Sequence, residues 1–148
     1  MGVEALGIVT TKPERARLFF RLRPTNLPLA ADEGLITHRS YGLPKPEVTP
    51  EFIQALQSVR LNPTGELPEP LPVEQAMGAL DRMDGFTPTE TDHEEVERQF
   101  PQLVGEFLMD RDGIVRWANV ECATEGLAGI GKFPTEEEFL AAARALLR

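Results

Sequence analysis

The sequence predicts an α/β protein in which a mixed sheet carries helices on its faces. A strand and an amphipathic helix alternate near the start of the chain, over residues 5–23. A hairpin followed by a second amphipathic helix occupies residues 106–146 near its end. Strand and helix in alternation favour parallel pairing, whereas a hairpin forces antiparallel pairing, so we expect a sheet that is parallel at first and antiparallel at one edge.

The composition is that of one globular domain spanning residues 1–148, with 41% apolar and 26% charged residues. A formal charge of -9 and a pI near 4.7 disfavour binding to nucleic acid or to an anionic membrane surface. The single cysteine, Cys122, excludes an internal disulfide, and the apolar run at residues 5–9 is too short to span a bilayer. We therefore expect a cytoplasmic protein.

The first elements are a strand at Ala5–Val9, expected to be buried on both faces, and a helix from Lys12 to about Arg23. Thr11 and Glu14 have the spacing of a capping box. Apolar residues recur at helical spacing and predict a buried stripe made of Ala16, Phe19, Phe20 and Leu22. Four arginines fall largely on the remaining arc: Arg15, Arg17, Arg21 and Arg23. A solvated face is the interpretation we favour for them over a grip on an anionic partner or on the acidic insertion.

An extended segment at Leu27–Ala30 comes next, and Pro28 predicts that it lies at a sheet edge. Asp32 is positioned to cap a short helix over about residues 34–41, which ends at Gly42.

Residues 44–101 differ in character and are predicted to form an acidic, proline-rich helical insertion. The stretch contains nine prolines, and residues 66–97 hold ten acidic side chains against one arginine. Three helical patterns are visible, the first opened by Thr49, the second running from Val73, and the third capped by Asp92 and Glu95. Their apolar stripes require a surface to cover, so we expect the insertion to pack over the main sheet or to meet another chain.

The clearest local signal is the hairpin, with strands at 106–109 and 114–118 joined by Asp110-Arg111-Asp112-Gly113. Thr135 and Glu138 then form a capping box, and the last helix presents one apolar face to the sheet. That face consists of Phe139, Ala142, Ala143 and Leu146.

Four stretches of the chain match a known family in its order. They are GVEALGIVTTKPERARLFFRL, LPLAADEGLITHRSYGLP, GEFLMDRDGIVRWA and FPTEEEFLAAARAL. In these stretches the chain resembles the peroxiredoxin-like members of the alkyl hydroperoxide reductase and thiol-specific antioxidant (redoxin) family, which have a thioredoxin-like fold. The matching stretches cover both ends of the chain but not the insertion. The resemblance implies an antioxidant oxidoreductase, with a thioredoxin-type reductant as partner of any longer form.

The resemblance also implies that the reactive centre is missing. In such proteins the reactive cysteine opens a helix just before the strand that corresponds to residues 5–10, and this chain begins after that point. Val104 stands where many peroxiredoxins carry an arginine, and where disulfide exchangers tend to have a cis-proline. We therefore predict that the chain has no thiol peroxidase activity, which leaves open whether it is an enzyme at all.

An N-terminally truncated scaffold of this kind would lack a central strand between residues 5–10 and the hairpin. The flanking strands would then expose unpaired N–H and C=O groups, which proteins avoid. Either the chain is part of a longer protein that starts upstream of Met1, which we favour, or another strand or chain fills the gap.

No catalytic, cofactor-binding or metal-binding residue is assigned from the sequence. Cys122 could be a nucleophile or a resolving thiol, but Glu121 and Glu125 would raise its pKa, so a passive role is favoured. His38 and Ser40 lie two apart on a helix and do not face each other, and no acidic orienter completes a triad.

Other motifs have simpler interpretations. Residues 110–113 fit a hairpin turn better than a calcium loop, and His93 among Asp92, Glu94 and Glu95 fits a solvated helix start better than a metal site. Trp117 and Phe107 are expected to pack in the core. The glycines at 126, 129 and 131 indicate a loop rather than a phosphate site.

Two other classes of function remain open at this point. One is a non-catalytic interaction module that forms a homodimer or a heteromeric complex through its exposed sheet edge and its insertion. The other is a small-molecule binding protein with a pocket under the insertion.

Overall fold

The structure is a computed structural model, and it describes residues 2–146. The predicted start at Met1 lies outside the described residues. The strands are β1 (Gly7–Val9), β2 (Leu29–Ala31), β3 (Arg60–Leu61), β4 (Leu71–Pro72), β5 (Gly105–Met109) and β6 (Val115–Val120). The helices are α1 (Pro13–Leu22), α2 (Ile36–Ser40), α3 (Pro50–Ser58), α4 (Val73–Asp84), α5 (Glu90–Gln99) and α6 (Glu136–Leu146), with a 3₁₀ helix at Gly126–Gly129.

The mixed α/β class is confirmed, but the described residues do not form one continuous sheet. β1 pairs with β2 in parallel, whereas β3–β4 and β5–β6 are antiparallel, and each pair is a separate two-stranded sheet. Within residues 2–146, no strand pairs with both β1 and the hairpin. The parallel start and the antiparallel hairpin were thus predicted correctly.

The first strand and helix are in place, but their expected burial is wrong. The side chain of Leu6 is 61% exposed and that of Phe19 is 47% exposed, and α1 contains no buried residue. Ala16 and Phe20 are half-buried, whereas Leu22 is exposed. The physical reason is that a sheet of two three-residue strands is too narrow to cover β1 on both faces or the stripe of α1.

The predicted capping box at Thr11 is also wrong. Lys12 is the N-cap residue of α1 and makes no side-chain capping bond. The Thr11 hydroxyl instead donates to Glu95 Oε2 at 2.9 Å. The hydroxyl that was expected to cap α1 is thus bound by a residue of the insertion.

The insertion supplies most of the buried core. One cluster consists of Phe52, Val59, Leu103 and Ile130, and a second consists of Leu67, Ala76 and Leu80. α3 packs against the 3₁₀ helix, so the insertion is folded against the segment that follows the hairpin. We expected the insertion to pack over the main sheet or to meet another chain. Instead, its own residues form most of the core.

The three helices of the insertion form as predicted, with one change of boundary. The Thr49 hydroxyl caps α3 by accepting from the Phe52 amide at 3.2 Å. α5 begins earlier than expected because Thr89, not Asp92, is its N-cap, and Asp92 completes the capping box at the third helical position. Glu95 is buried inside the helix rather than at its start.

The hairpin and the last helix are confirmed. Asp110 Oδ1 accepts from the amides of Asp112 and Ile114 at 2.9 and 3.0 Å, and Gly113 adopts a φ of +79° that favours glycine. The Thr135–Glu138 capping box opens α6. The ring centroid of Trp117 lies 5.6 Å from that of Phe139 on α6, so α6 contacts the hairpin through this aromatic pair.

Tyr41, which follows α2, packs against the hairpin as well. Its ring lies 4.8 Å from that of Phe107, and its hydroxyl contacts Met109 Sδ at 3.3 Å. Trp117 and Phe107 pack against aromatic rings as expected, but both are half-buried and neither belongs to a core cluster. Among the helices of the described part of the chain, none combines the length and the apolar character that crossing a membrane requires.

Candidate functional site

A cavity of about 300 Å³, largely open to solvent, lies at the carboxyl end of β1, next to the segment that leads into β5. It is bounded by α2, by the end of α5 and by the segment that leads into β5. The lining residues are Thr10, His38, Val96, Gln99, Phe100, Pro101, Gln102 and Val104. The Phe100–Pro101 peptide bond in this wall is cis. Ligand sites in α/β folds favour the carboxyl ends of strands, which makes this cavity the candidate site.

The polar centre of the cavity wall is a buried pair formed by Asp32 and His38. Asp32 Oδ2 lies 3.1 Å from His38 Nδ1, and both residues are less than 10% exposed. Asp32 also accepts from the first amides of α2, those of Ile36 and Thr37 at 2.9 Å and that of His38 at 3.3 Å. The capping role predicted for Asp32 is therefore confirmed, although Leu35 occupies the N-cap position.

The charge on Asp32 is stabilised by these contacts. Burial by itself would raise the pKa of this carboxyl group, but the hydrogen bonds from His38 and from the backbone amides of α2 outweigh it and lower the pKa to about 2. Asp32 is therefore ionised at neutral pH, and we assign a proton to His38 Nδ1, where it donates to Asp32.

The sequence offered no acidic partner for His38, and the structure supplies one. Asp32 caps α2 and also contacts a side chain in the first turn of that helix. It therefore orients His38, which lies six residues later in the chain. A capping aspartate followed by a histidine in the first helical turn is the signal that could have revealed the pair. Ser40 does not join it, since its hydroxyl donates to the Ile36 carbonyl at 2.8 Å.

Arg98 fastens α5 to the rim of the cavity. Its guanidinium donates to the carbonyls of Thr10 and Glu33 at 2.6 and 2.7 Å, and to Glu95 Oε2 at 2.7 Å. The hydrogen bond from Arg98 lowers the pKa of Glu95, which burial alone would raise. The position of α5 relative to β1 and α2 is thus fixed by charged hydrogen bonds rather than by apolar packing.

The other polar groups in the wall are largely satisfied by the protein. Gln102 Nε2 donates to the carbonyls of Pro44 and Leu103 at 2.9 and 3.0 Å. The Val104 amide donates to Glu121 Oε2 at 3.1 Å, and the Val104 carbonyl accepts from the Glu121 amide at 3.0 Å. The surface that remains is mainly apolar, with His38 as its buried polar side chain.

Val104 and Cys122 are connected through Glu121. The carboxylate of Glu121 is buried and bridges the Val104 amide to the Gly131 amide, which donates at 2.7 Å. Cys122 is half-buried beside the first core cluster, and burial together with the charge of Glu121 raises its pKa. The predicted direction of this shift is confirmed, and a raised pKa disfavours the reactive thiolate.

The structure places the remaining candidate residues as follows. Asp110 serves the hairpin turn and pairs with Arg116 at 2.7 Å, so the turn interpretation is confirmed. His93 is exposed on α5, and the segment from Gly126 to Gly131 is a 3₁₀ helix and turn. Within residues 2–146, no cluster of three or more acidic, histidine or cysteine side chains is arranged to hold a metal ion.

Two of the four arginines on α1 have partners in the insertion, so the solvated-face interpretation is wrong for them. Arg15 pairs with Asp92, and Arg23 donates to both Glu66 and Asp84 at 2.6 Å. These contacts hold α1 against the insertion at both of its ends. They show why acidic residues in the insertion complement a basic helix that has little apolar contact of its own.

Comparison of the chain with protein-family models, with curated proteins and with solved structures gave no match.

Proposed function

We propose that the chain is a peroxiredoxin-like, thioredoxin-fold scaffold of the redoxin type that lacks its own peroxidatic centre. One observation carries the proposal: a parallel pair, β1–β2, and an antiparallel hairpin, β5–β6, occur in the expected order but in separate two-stranded sheets. In this proposal a strand from outside residues 2–146 completes the sheet. The antioxidant oxidoreductase chemistry then belongs to the completed assembly.

The hydrogen bonds of β1 support this arrangement. The Gly7 amide donates to the Pro28 carbonyl at 2.8 Å, and the Val9 carbonyl accepts from the Asp32 amide at 2.8 Å. Because alternate residues of a strand point their polar groups to opposite edges, the N–H and C=O of Ile8 face away from β2. They are directed to the edge where the additional strand would pair.

The hairpin offers a matching edge. The Glu121 amide donates to the Val104 carbonyl at 3.0 Å. By the same alternation, the backbone N–H and C=O of Glu106 point towards β6, and those of Phe107 point away from it. A strand that lay between the two edges would find backbone partners on both of them. Burial of exposed side chains in and next to β1, such as Ile8 and Leu6, would add apolar free energy to those hydrogen bonds.

The thiol present in the chain does not supply the missing chemistry. Cys122 follows the hairpin rather than opening a helix, and its pKa is raised by burial and by Glu121. A peroxidatic cysteine requires a lowered pKa, which a helix start or a neighbouring cation provides. Val104, in the position where the resemblance implies an arginine, offers no cation.

A peroxidase assay tests this proposal. The chain is mixed with hydrogen peroxide, thioredoxin, thioredoxin reductase and NADPH, and we expect NADPH oxidation equal to that of a blank without the chain. Cys122→Ser serves as the matched control and should give the same rate. Turnover above the blank that disappears in Cys122→Ser would contradict the proposal.

A second candidate is a non-catalytic interaction module. The exposed apolar side chains of α1 and of the residue before β1 favour this function. Leu6, Leu18, Phe19 and Leu22 are all exposed. Neighbouring apolar side chains left open in this way are typical of association surfaces. Sedimentation equilibrium over a hundredfold range of concentration should show self-association if a second copy covers this surface, and a constant monomer mass would exclude the homodimer.

A further inference from the structure

We propose that the cavity at the carboxyl end of β1 binds a small, mainly apolar molecule that carries one hydroxyl group, and that this hydroxyl forms a hydrogen bond with His38. Asp32, His38 and Val104 lie at positions that the redoxin resemblance covers, but the inference rests on the contacts of the described residues and not on the scaffold proposal. The sequence alone had no feature to recommend a pocket beside the insertion. The structure supplies three: a volume, a buried polar anchor and a fixed wall.

The volume suits a single small ring system. About 300 Å³ is at the lower end of the range found for ligand sites. Four side chains give the wall its apolar character: Val96, Phe100, Pro101 and Val104. A ligand with an apolar body would exchange contact with water for contact with these groups, which is favourable in proportion to the area buried.

His38 determines which polar group the ligand must carry. Its Nδ1 is turned to the ionised carboxylate of Asp32, so Nε2 is the ring nitrogen left to face the cavity. Nε2 accepts a hydrogen bond when it carries no proton and donates one when it does. A hydroxyl group is complementary in either case, and a phenolic or alcoholic hydroxyl fits the size available.

The surrounding charges argue against an anionic ligand. Asp32 lies directly behind His38, and Glu95 lies at the rim, where it is held by Arg98. The Nη groups of Arg98 donate to two carbonyls and to Glu95, whereas its Nε has no hydrogen-bond partner among the described residues. A carboxylate or phosphate beside His38 would still meet the charge of Asp32 at close range, whereas a neutral hydroxyl would not.

The site lies beyond the strand edges that the scaffold proposal requires. Thr10 follows β1, and Val104 precedes β5. A strand that paired along Gly7–Val9 and along Gly105–Met109 would end at the cavity, and a helix after that strand would begin there. Binding of a small molecule is therefore tested on the chain alone, without an added segment.

The experiment uses 4-ethylphenol and ethylbenzene as probes, since they share an apolar body and differ in one hydroxyl group. Titrations of the ¹⁵N-labelled chain are followed by NMR. We expect saturable shifts confined to residues 10, 32–38 and 96–104, with 4-ethylphenol binding about tenfold tighter than ethylbenzene, the factor that one hydrogen bond can contribute. Equal affinities, or shifts spread over the whole chain, would overturn the inference.

Variants locate the binding. His38→Gln should weaken 4-ethylphenol about tenfold and leave ethylbenzene unchanged, while His93→Gln, at the exposed histidine of α5, should leave both unchanged. Because His38→Gln could disturb α2, Val96→Trp provides a second test. Val96 is 63% exposed, so the larger ring can enter the cavity from α5 without loss of a packed side chain. It should abolish binding of both probes, and undiminished binding in Val96→Trp would overturn the inference.

Discussion

The first strand–helix–strand unit, residues 7–31, and the insertion, residues 44–101, reverse the roles that their sequences suggest. The first unit has a continuous apolar strand and an amphipathic helix, yet none of the residues of α1 is buried. The insertion is acidic and rich in proline, yet it contributes Phe52, Val59, Leu67, Ala76 and Leu80 to the core. Hydrophobic pattern thus shows which face can be buried, and only the partner surface decides whether it is.

The difference has a thermodynamic meaning. Burial of apolar area is the main favourable contribution to folding, so residues 44–101 are expected to hold most of the stability of the isolated chain. Ion pairs join the first unit to this core, and exposed pairs contribute little each. The first unit should accordingly unfold at lower denaturant concentration, or gain stability when a partner covers it.

The largest effect is expected from a matched pair of phenylalanine truncations. Phe52→Ala should lower the free energy of unfolding by about 3–5 kcal/mol, because the ring is 2% exposed and its removal leaves a cavity. Phe19→Ala, at the exposed ring of α1, should cost less than about 1 kcal/mol. Urea denaturation followed by circular dichroism measures both. If Phe19→Ala were as costly as Phe52→Ala, the contrast between the two regions would be wrong.

A smaller effect is expected from acid, and it acts at the junction of the two regions. The folded pKa of Asp32 is about 2, below its ordinary value of 3.8. A lowered folded pKa stabilises the native state above the unfolded pKa, and this contribution is lost as the pH falls from about 4 to about 2. We expect it to be about 1–2 kcal/mol, measured as the free energy of unfolding in urea at a series of pH values.

Asp32→Asn is the control for the acid effect. The amide cannot titrate, so the decrease in stability between pH 4 and pH 2 should be smaller in the variant than in the wild type. Equal pH dependence in both proteins would show that Asp32 does not carry the effect. His38 should also lose its fixed orientation in this variant, which a change in its ring ¹H–¹⁵N resonances would report.

A still smaller effect is expected at the ion pairs between α1 and the insertion. Arg23→Gln removes the hydrogen bonds to Glu66 and Asp84 that raise the pKa of Arg23, and it should shift the urea midpoint slightly downward. Added salt should reduce the difference from wild type, since screening weakens exposed charge pairs. Arg21→Gln on the same helix is the matched control and should leave the midpoint unchanged.

The smallest effect on stability is expected at Cys122. Its rate of reaction with a thiol reagent compares the native chain with the unfolded chain. The thiol is half-buried beside the core that the insertion forms, and its pKa is raised. Its reaction with Ellman's reagent at pH 7.5 should be slower in the native chain than in the urea-unfolded chain, because less thiolate is present and access is restricted. A faster reaction in the native chain would reveal an activated thiol and would also undermine the scaffold proposal.

The sequence by itself determined the local elements. The hairpin was predictable because Asp110 and Gly113 specify its turn through side-chain and backbone bonds a few residues apart. The cap of α2 and the capping box at Thr135 were predictable for the same reason. In each case both partners lie within one or two turns of the chain, so the pattern contains the whole interaction.

The tertiary structure decided everything that depends on distant partners. It gave the Thr11 hydroxyl to Glu95 instead of to α1, and it brought His38, Val96 and Val104 to one cavity. It also left α1 exposed while Phe52 became buried. An apolar stripe or a polar side chain can be read from the order of residues, but which surface it meets depends on how remote segments pack, and a single sequence does not encode that locally.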